Sequence, residues 1–229
     1  MKERTTLLFS EFFKENAALL NCKKEIEDAF DILFEAYKNG KKMMCCGNGG
    51  SAADCEHTVG ELMKGFRLKR CLKESDKKRF DGLENGEYIS SNLQGTLRAV
   101  SLVSQSALMT AYINDVKSDL VFAQQVWGYG DAGDVLLAFS TSGNSENVYN
   151  AAVTAKALGC KTVSVTGKDG GRLKAESDVC IILPSFDTAR IQEYTLPVYH
   201  VLCAALESEF LIYNLDRIMS CRKHRFRLY

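Results

Sequence analysis

Two loops rich in glycine and serine constrain this chain most. Gly47-Asn48-Gly49-Gly50-Ser51 follows the apolar run Met43-Met44-Cys45-Cys46. Ser140-Thr141-Ser142-Gly143-Asn144-Ser145 follows Val135-Leu136-Leu137-Ala138-Phe139. Each lies between a short buried-strand pattern and a helical pattern. A strand, a small loop and a helix N-terminus together make a place for an anion, because free backbone N–H groups and the positive end of the helix dipole point at it. Two such loops predict a ligand with a phosphate and a second polar part, as in a sugar phosphate.

The remaining pattern alternates strands with helices, which predicts a parallel sheet covered on both faces. Helices are expected over residues 5–20 and 24–38. In the second, Ile26, Phe30, Leu33, Phe34 and Tyr37 recur at helical spacing and Asn39-Gly40 gives a stop. A strand over 41–46 follows. Ser51 and Asp54 resemble a capping box at the start of the next helix. Helices are further expected over 97–112, 120–129, 145–158 and 188–213, and strands over 135–139, 161–166 and 179–183. Ligands of such sheets sit beyond the carboxyl ends of the strands, where both loops lie.

From Arg67 to Gly95 the pattern breaks. Lys69, Arg70, Lys73, Lys77, Lys78 and Arg79 crowd one stretch, and Asp81-Gly82 and Asn85-Gly86 follow. Loops beyond about 12–15 residues are usually functional or disordered, so residues 67–95 read as a charged insertion, either a solvated excursion or a lid or partner surface. Residues 216–229 form a basic tail containing His224.

With 29 basic and 29 acidic residues the formal net charge is zero. That removes any global attraction to nucleic acid or to acidic membranes. No apolar run approaches the roughly 20 residues a membrane helix needs, and the first residues lack a signal-peptide core, so a cytoplasmic protein is expected. The nine cysteines include no C-x-x-C pair and read as reduced, mostly buried thiols. Cys45 and Cys46, adjacent in a strand, point to opposite faces.

His57 and Glu61 are four apart and share a helix face that begins at the first loop. Gln192 and Glu193 lie about two turns before His200 on the final helix, which also contains Pro197. If that helix packs near the first loop, or a second subunit supplies it, a carboxylate and an imidazole face one ligand. Such a pair suits proton transfer at carbon: Glu takes a proton beside a carbonyl and His moves a proton to or from oxygen. The same residues have plainer readings, a surface ion pair for His57 and Glu61 and a core histidine for His200. His57, Glu61, Gln192 and His200 also offer donors for a divalent metal, two His and a carboxylate being suited to zinc. Gly47-x-Gly49-x-x-Ala52 fits a dinucleotide fingerprint, but no strand ending in an acidic residue follows about 20 positions on.

The chain resembles the sugar isomerase (SIS) fold, and most closely the phosphoheptose isomerases. The resemblance is carried by Cys46-Gly47-Asn48-Gly49-Gly50-Ser51-Ala52-Ala53-Asp54, His57-x-x-x-Glu61-Leu62, Ser140-Thr141-Ser142-Gly143-Asn144-Ser145-x-Asn147-Val148, Thr166-Gly167-Lys168-Asp169-Gly170-Gly171, and Arg190-Ile191-Gln192-Glu193 with His200. It implies one SIS domain across 1–229: N-terminal helices for oligomerisation over 1–40, and a flavodoxin-like three-layer α/β/α core over 41–66 and 96–215. It implies an aldose–ketose isomerase that converts sedoheptulose 7-phosphate to D-glycero-D-manno-heptose 7-phosphate through an enediol, without an organic cofactor. Glu61 would be the base and His200 its acid/base partner. Ser140, Thr141, Ser142 and Ser145 would hold the phosphate with Ser51 nearby, and Asn48, Gly49, Gly50, Asn114, Asp115 and Gln192 would line the sugar. Some relatives carry zinc at positions matching His57, Glu61, Gln192 and His200. A homotetramer with sites shared between subunits is also implied. The chain departs from the family in three places. Gly65 stands where the family's arginine after the catalytic Glu would be, with Lys64 or Arg67 as candidates to compensate. The insertion is long, and Pro197 is unusual. The alternative is a non-catalytic SIS module that binds a sugar phosphate or a replication-initiator partner, a reading the basic stretch over 67–79 favours and the retained Glu61 and His200 oppose.

Overall fold

The computed structural model describes residues 2–210. In chain order, the helices and strands are α1 (Glu3–Glu15), α2 (Lys23–Lys38), β1 (Met43–Cys46), α3 (Gly50–Met63), α4 (Glu74–Lys77), α5 (Gly86–Asn92), β2 (Ala99–Ser101), α6 (Ser106–Asp115), α7 (Val121–Tyr129), β3 (Val135–Ser140), α8 (Glu146–Ala157), β4 (Lys161–Thr166), α9 (Leu173–Glu176), β5 (Val179–Ile182) and α10 (Thr188–Phe210). Short 3₁₀ turns cover Ala17–Cys22, Lys78–Phe80 and Ser118–Leu120. No described helix is long and apolar enough to cross a membrane. The expected basic tail with His224, and the last turn expected after Phe210, lie outside the described residues.

All five strands pair in parallel, in the order β2-β1-β3-β4-β5. Helices cover both faces, as expected for the α/β/α arrangement. One layer holds Phe9, Phe12 and Phe13 of α1, Ile26, Phe30 and Leu33 of α2, and Val198, Leu202 and Leu206 of α10. The other holds Phe122 and Val126 of α7 with Val148, Ala151, Ala152 and Ala155 of α8. Each large apolar side chain so buried contributes about 1.5–3 kcal/mol relative to exposure. Cys45 joins the first layer and Cys46 the second, as strand alternation requires. β1 has no β-branched residue. Its strand state comes from two parallel partners, with Met43 beside both Ala99 and Val135.

Three local expectations change. The expected helix over 97–112 is a strand followed by a helix: β2 takes the open edge of β1, with Met43 donating to the carbonyl of Arg98 and Leu102 to that of Cys45. The expected helix over 5–20 stops at Asn16, whose side chain donates to the carbonyl of Phe12 and blocks continuation. Ser51 is the second residue of α3 rather than its cap, and no side chain caps that helix. Gly40 has the positive φ of a helix stop, as its position after Asn39 predicts.

The insertion is folded at its root. Arg70 is buried to 1% exposure against Glu207 of α10, which is equally buried, at 2.7 Å. The guanidinium also donates to the carbonyls of Glu61 and Leu62, the last turn of α3, and Glu207 accepts the backbone N–H groups of Phe66 and Arg67. Gly95 donates to the carbonyl of Arg70, and Cys71 bridges Gln94. The outer part, with Leu83, Tyr88 and Leu93, is exposed. Removing one member of a buried ion pair costs about 3–5 kcal/mol, because the other charge stays buried and unpaired. Arg70→Met and Glu207→Leu should each lower the unfolding free energy by about that amount in urea titrations. The double variant should not recover fully, because the N–H groups of Phe66 and Arg67 lose their acceptor.

Candidate active site

The strand order 2-1-3-4-5 reverses direction at β1. The crevice between the carboxyl ends of β1 and β3 is the switch point where such sheets bind ligands. Both loops end there. They are joined by a reciprocal amide pair: Asn48 donates to Asn147 Oδ1 at 2.8 Å, and Asn147 donates back to Asn48 Oδ1 at 3.0 Å. Neither α3 nor α8 has a side-chain cap at its N-terminus, so both first turns keep donors for an anion.

The second loop is tightly built. Ser140 Oγ donates to Ser145 Oγ at 3.1 Å, and Ser142 Oγ accepts the N–H of Asn144. Thr141 lies next to them, its carbonyl accepting the N–H of Gly167. Gly143 has φ +67°, and a Cβ there would collide with the carbonyl of Gly170. In the first loop Ser51 is buried, and the Gln192 carboxamide sits where a side chain on Gly50 would go. Gly49 has φ 57° at the N-terminus of α3. α10 therefore reaches the first loop within this chain.

Further along α3, His57 Nε2 lies 3.1 Å from Glu61 Oε1. The Glu61 side chain is 11% exposed and that of His57 44%. Lys64 Nζ approaches Glu61 Oε2 at 3.3 Å from a largely solvated position. α10 brings His200 alongside, its ring 5.0 Å from that of His57 and 5.2 Å from Phe66. His200 Nε2 is buried without a hydrogen-bond partner. Burial, then the charges of His57 and Arg67, lower the His200 pKa, with Glu61 opposing. Near neutral pH this imidazole is therefore uncharged and able to exchange a proton at nitrogen.

Not every expected residue converges. Asn114 and Asp115 are exposed at the end of α6, where the Asn114 amide donates to Asp115. Glu193 pairs with Arg190 on the surface of α10 and leaves the site to Gln192 and His200. The metal set His57, Glu61, Gln192 and His200 is not arranged as a cage: no group of three or more His, Cys, Asp or Glu suited to an ion occurs among the described residues. Both ring nitrogens of His57 are engaged, Nε2 by Glu61 and Nδ1 by the Tyr199 hydroxyl at 2.8 Å. Of these donors, His57 and Glu61 touch one another and His200 Nε2 has no hydrogen-bond partner.

Position 65 admits no side chain. A Cβ on Gly65 would strike the carbonyl of Leu68, and its N–H is held by Gln94 Oε1 at 2.7 Å. Lys64, rather than Arg67, is the cation that touches Glu61. Sequence reasoning passed over Tyr199, Asn147 as a link between the loops, and the Arg70–Glu207 anchor. Asn147 carried a signal, since it follows the serine loop directly. Gly143→Ala should destabilise the chain by about 1–3 kcal/mol. It should also abolish the thermal stabilisation given by a sugar phosphate, whereas Gly50→Ala, which meets only the flexible end of Gln192, should cost less in stability; differential scanning fluorimetry with and without ligand distinguishes them.

The model of the SIS domain family matches residues 12–76 and 87–167. The phosphoheptose isomerase of a Nitratiruptor species is 42% identical over 179 residues, covering 78% of this chain and 83% of the relative. That of a Helicobacter pylori strain is 37% identical over 208 residues, covering 89% and 96%. The solved phosphoheptose isomerase of Neisseria gonorrhoeae superposes with a TM-score of 0.68 at 32% identity, covering 90% of this chain and 98% of that one. The chain belongs to the SIS domain family and, within it, to the phosphoheptose isomerases.

Proposed function

We propose that the protein is an aldose–ketose isomerase that converts sedoheptulose 7-phosphate to D-glycero-D-manno-heptose 7-phosphate. The observation that supports this reading is that His200 of α10 lies beside His57, whose Nε2 contacts Glu61 on α3. The relatives at 37–42% identity bear the matching name.

The serine loop and the N-terminus of α8 receive the phosphate, through Ser140, Thr141, Ser142 and Ser145, with Ser51 near. The sugar runs along the first loop past Asn48, Gly49, Gly50 and Gln192 towards Glu61. Glu61 removes the proton from C1 of the ketose while His200 gives a proton to the oxygen at C2. The enediol forms. His200 then takes the proton from the oxygen at C1 and Glu61 returns its proton to C2. Both side chains end as they began. Each proton-transfer role contributes typically about 10²–10⁴ in rate. No step is routed through zinc.

Assembly as a homotetramer with shared sites is part of this reading. Leu108, Ile113, Val116 and Trp127 leave an apolar surface exposed on the α6–α7 side, and Asn114 and Asp115 lie on it. Such a surface on a folded chain marks a contact with another protein. The N-terminal helices would take part in the same assembly. A cytoplasmic location fits a chain whose described helices include no membrane span. The non-catalytic binding module is not favoured, because the relatives at 37–42% identity are phosphoheptose isomerases.

Incubation with sedoheptulose 7-phosphate in D₂O, followed by NMR, tests the proposal. Deuterium should enter beside the carbonyl as the heptose 7-phosphate accumulates. Glu61→Gln should cut turnover by at least about 10²-fold while the phosphate still stabilises the protein. Unchanged turnover in that variant would remove Glu61 from the role of base.

A further inference from the structure

The amide pair across the mouth of the crevice does more than anchoring a phosphate requires. Asn147 is in the first turn of α8, directly after the serine loop, and Asn48 stands just before the Gly49 cap of α3. Beneath them β1 and β3 are joined by strand pairing up to Cys46 and Ala138. Above that level each loop is braced from its own side. On the β4 side, the Gly143 carbonyl accepts the N–H of Leu173, and Gly143 packs against Gly170 too closely for a side chain. The first loop is braced by α10, through Gln192 against Gly50. The Asn48–Asn147 pair, at 2.8 and 3.0 Å, spans the gap between the two. A carboxamide has two N–H donors and an oxygen with two lone pairs. The reciprocal pair uses one of each on either residue, so Asn48 keeps an N–H and a lone pair for a sugar hydroxyl. Turning both amides over gives the same two bonds, so the pair sets a distance and not a polarity.

We propose that Asn147 is a specificity-determining residue that acts through Asn48, holding the two lips of the crevice at the spacing of a seven-carbon ketose phosphate; this rests on the reading of the site as one for sedoheptulose 7-phosphate. An open-chain ketose phosphate carries its reacting carbons at one end and its phosphate at the other. The distance between them grows with each carbon added. A site that grips both ends with fixed loops therefore reads chain length. Walls fixed beforehand also lose less freedom when the ligand arrives, which favours binding. A five-carbon ketose phosphate held by its phosphate would reach less far along the first loop and gain little from the tie. Inorganic phosphate would engage one end alone.

Isothermal titration of the full chain carrying Glu61→Gln, which leaves the sugar unconverted, compares sedoheptulose 7-phosphate, ribulose 5-phosphate and inorganic phosphate. Adding Asn147→Ala should weaken sedoheptulose 7-phosphate by roughly 3- to 10-fold, the worth of a neutral hydrogen bond, and change the other two by less than about twofold. In an Asn48→Ala background the same substitution should have no further effect, since its partner is gone. With Glu61 intact, Asn147→Ala should raise KM for the seven-carbon sugar by the same factor and leave kcat within about twofold. Equal weakening of all three ligands would overturn the proposal. So would an unaltered affinity for sedoheptulose 7-phosphate, or an effect that persists without Asn48. Should the alanine variant fail to fold, Asn147→Leu, which keeps the side-chain volume, is read in the same way. Loss of the fold in both would make the pair structural and overturn the proposal. If the unaltered protein converts no sugar while Asn147→Ala still loses the seven-carbon preference, the isomerase reading fails and the length gauge stands.

Discussion

The reversal of strand order at β1 is the constraint on which the rest depends. β2 and β3 leave β1 on opposite sides, so the connections after β1 and β3 diverge and a crevice opens between them. Everything chemical in this molecule is placed relative to that crevice. α3 starts at one lip and α8 at the other, and the Asn48–Asn147 pair holds the lips at a fixed spacing. α10 crosses back to the same place, bringing Gln192 to the first loop and His200 to His57. A sheet with all connections on one side would have the same strands and no such meeting point.

In the proposed reaction the site would divide between a binding end and a reacting end. Backbone donors and hydroxyl groups make the binding end, which suits an anion that need only be held. The reacting end is enclosed by α3, α10 and the root of the insertion, with the Glu61 side chain at 11% exposure and His200 Nε2 out of water. Restricted water strengthens each electrostatic contact there and limits loss of protons to solvent. Arg70 contributes without touching the carboxylate: it takes up the Glu61 carbonyl at the end of α3 and shares the Leu62 carbonyl with the N–H of Leu97.

Local pattern and fold agree where neighbours in sequence are neighbours in space. Strand–loop–helix units, the β3 and β4 runs and the His57–Glu61 spacing are all of this kind, and each is readable from a few consecutive residues. The errors and omissions depend on distant partners. Residues 99–101 have a mixed pattern, and only the unpaired edge of β1 makes them a strand. Arg70 and Glu207 are separated by 137 positions, and each alone looks like a solvated charge. Tyr199 and His57 are separated by 142, and on sequence alone Tyr199 is one aromatic in an apolar helix. Asp54 fits a capping pattern, but no side chain caps α3, and Tyr199 is its partner.

The way residues 67–95 are fastened bears on how this chain can change over generations. Its two ends are tied together by the Cys71–Gln94 bridge and the Gly95–Arg70 hydrogen bond, and Arg70 itself is sealed against Glu207. The span between the ties is a closed loop whose ends are held at a fixed distance whatever its content. For a flexible loop, doubling the length costs only about 0.6 kcal/mol in closure entropy. The outer segment can therefore lengthen, shorten or exchange its surface while the crevice keeps its geometry. New surface properties can be tried on this scaffold without wagering the chemistry beneath.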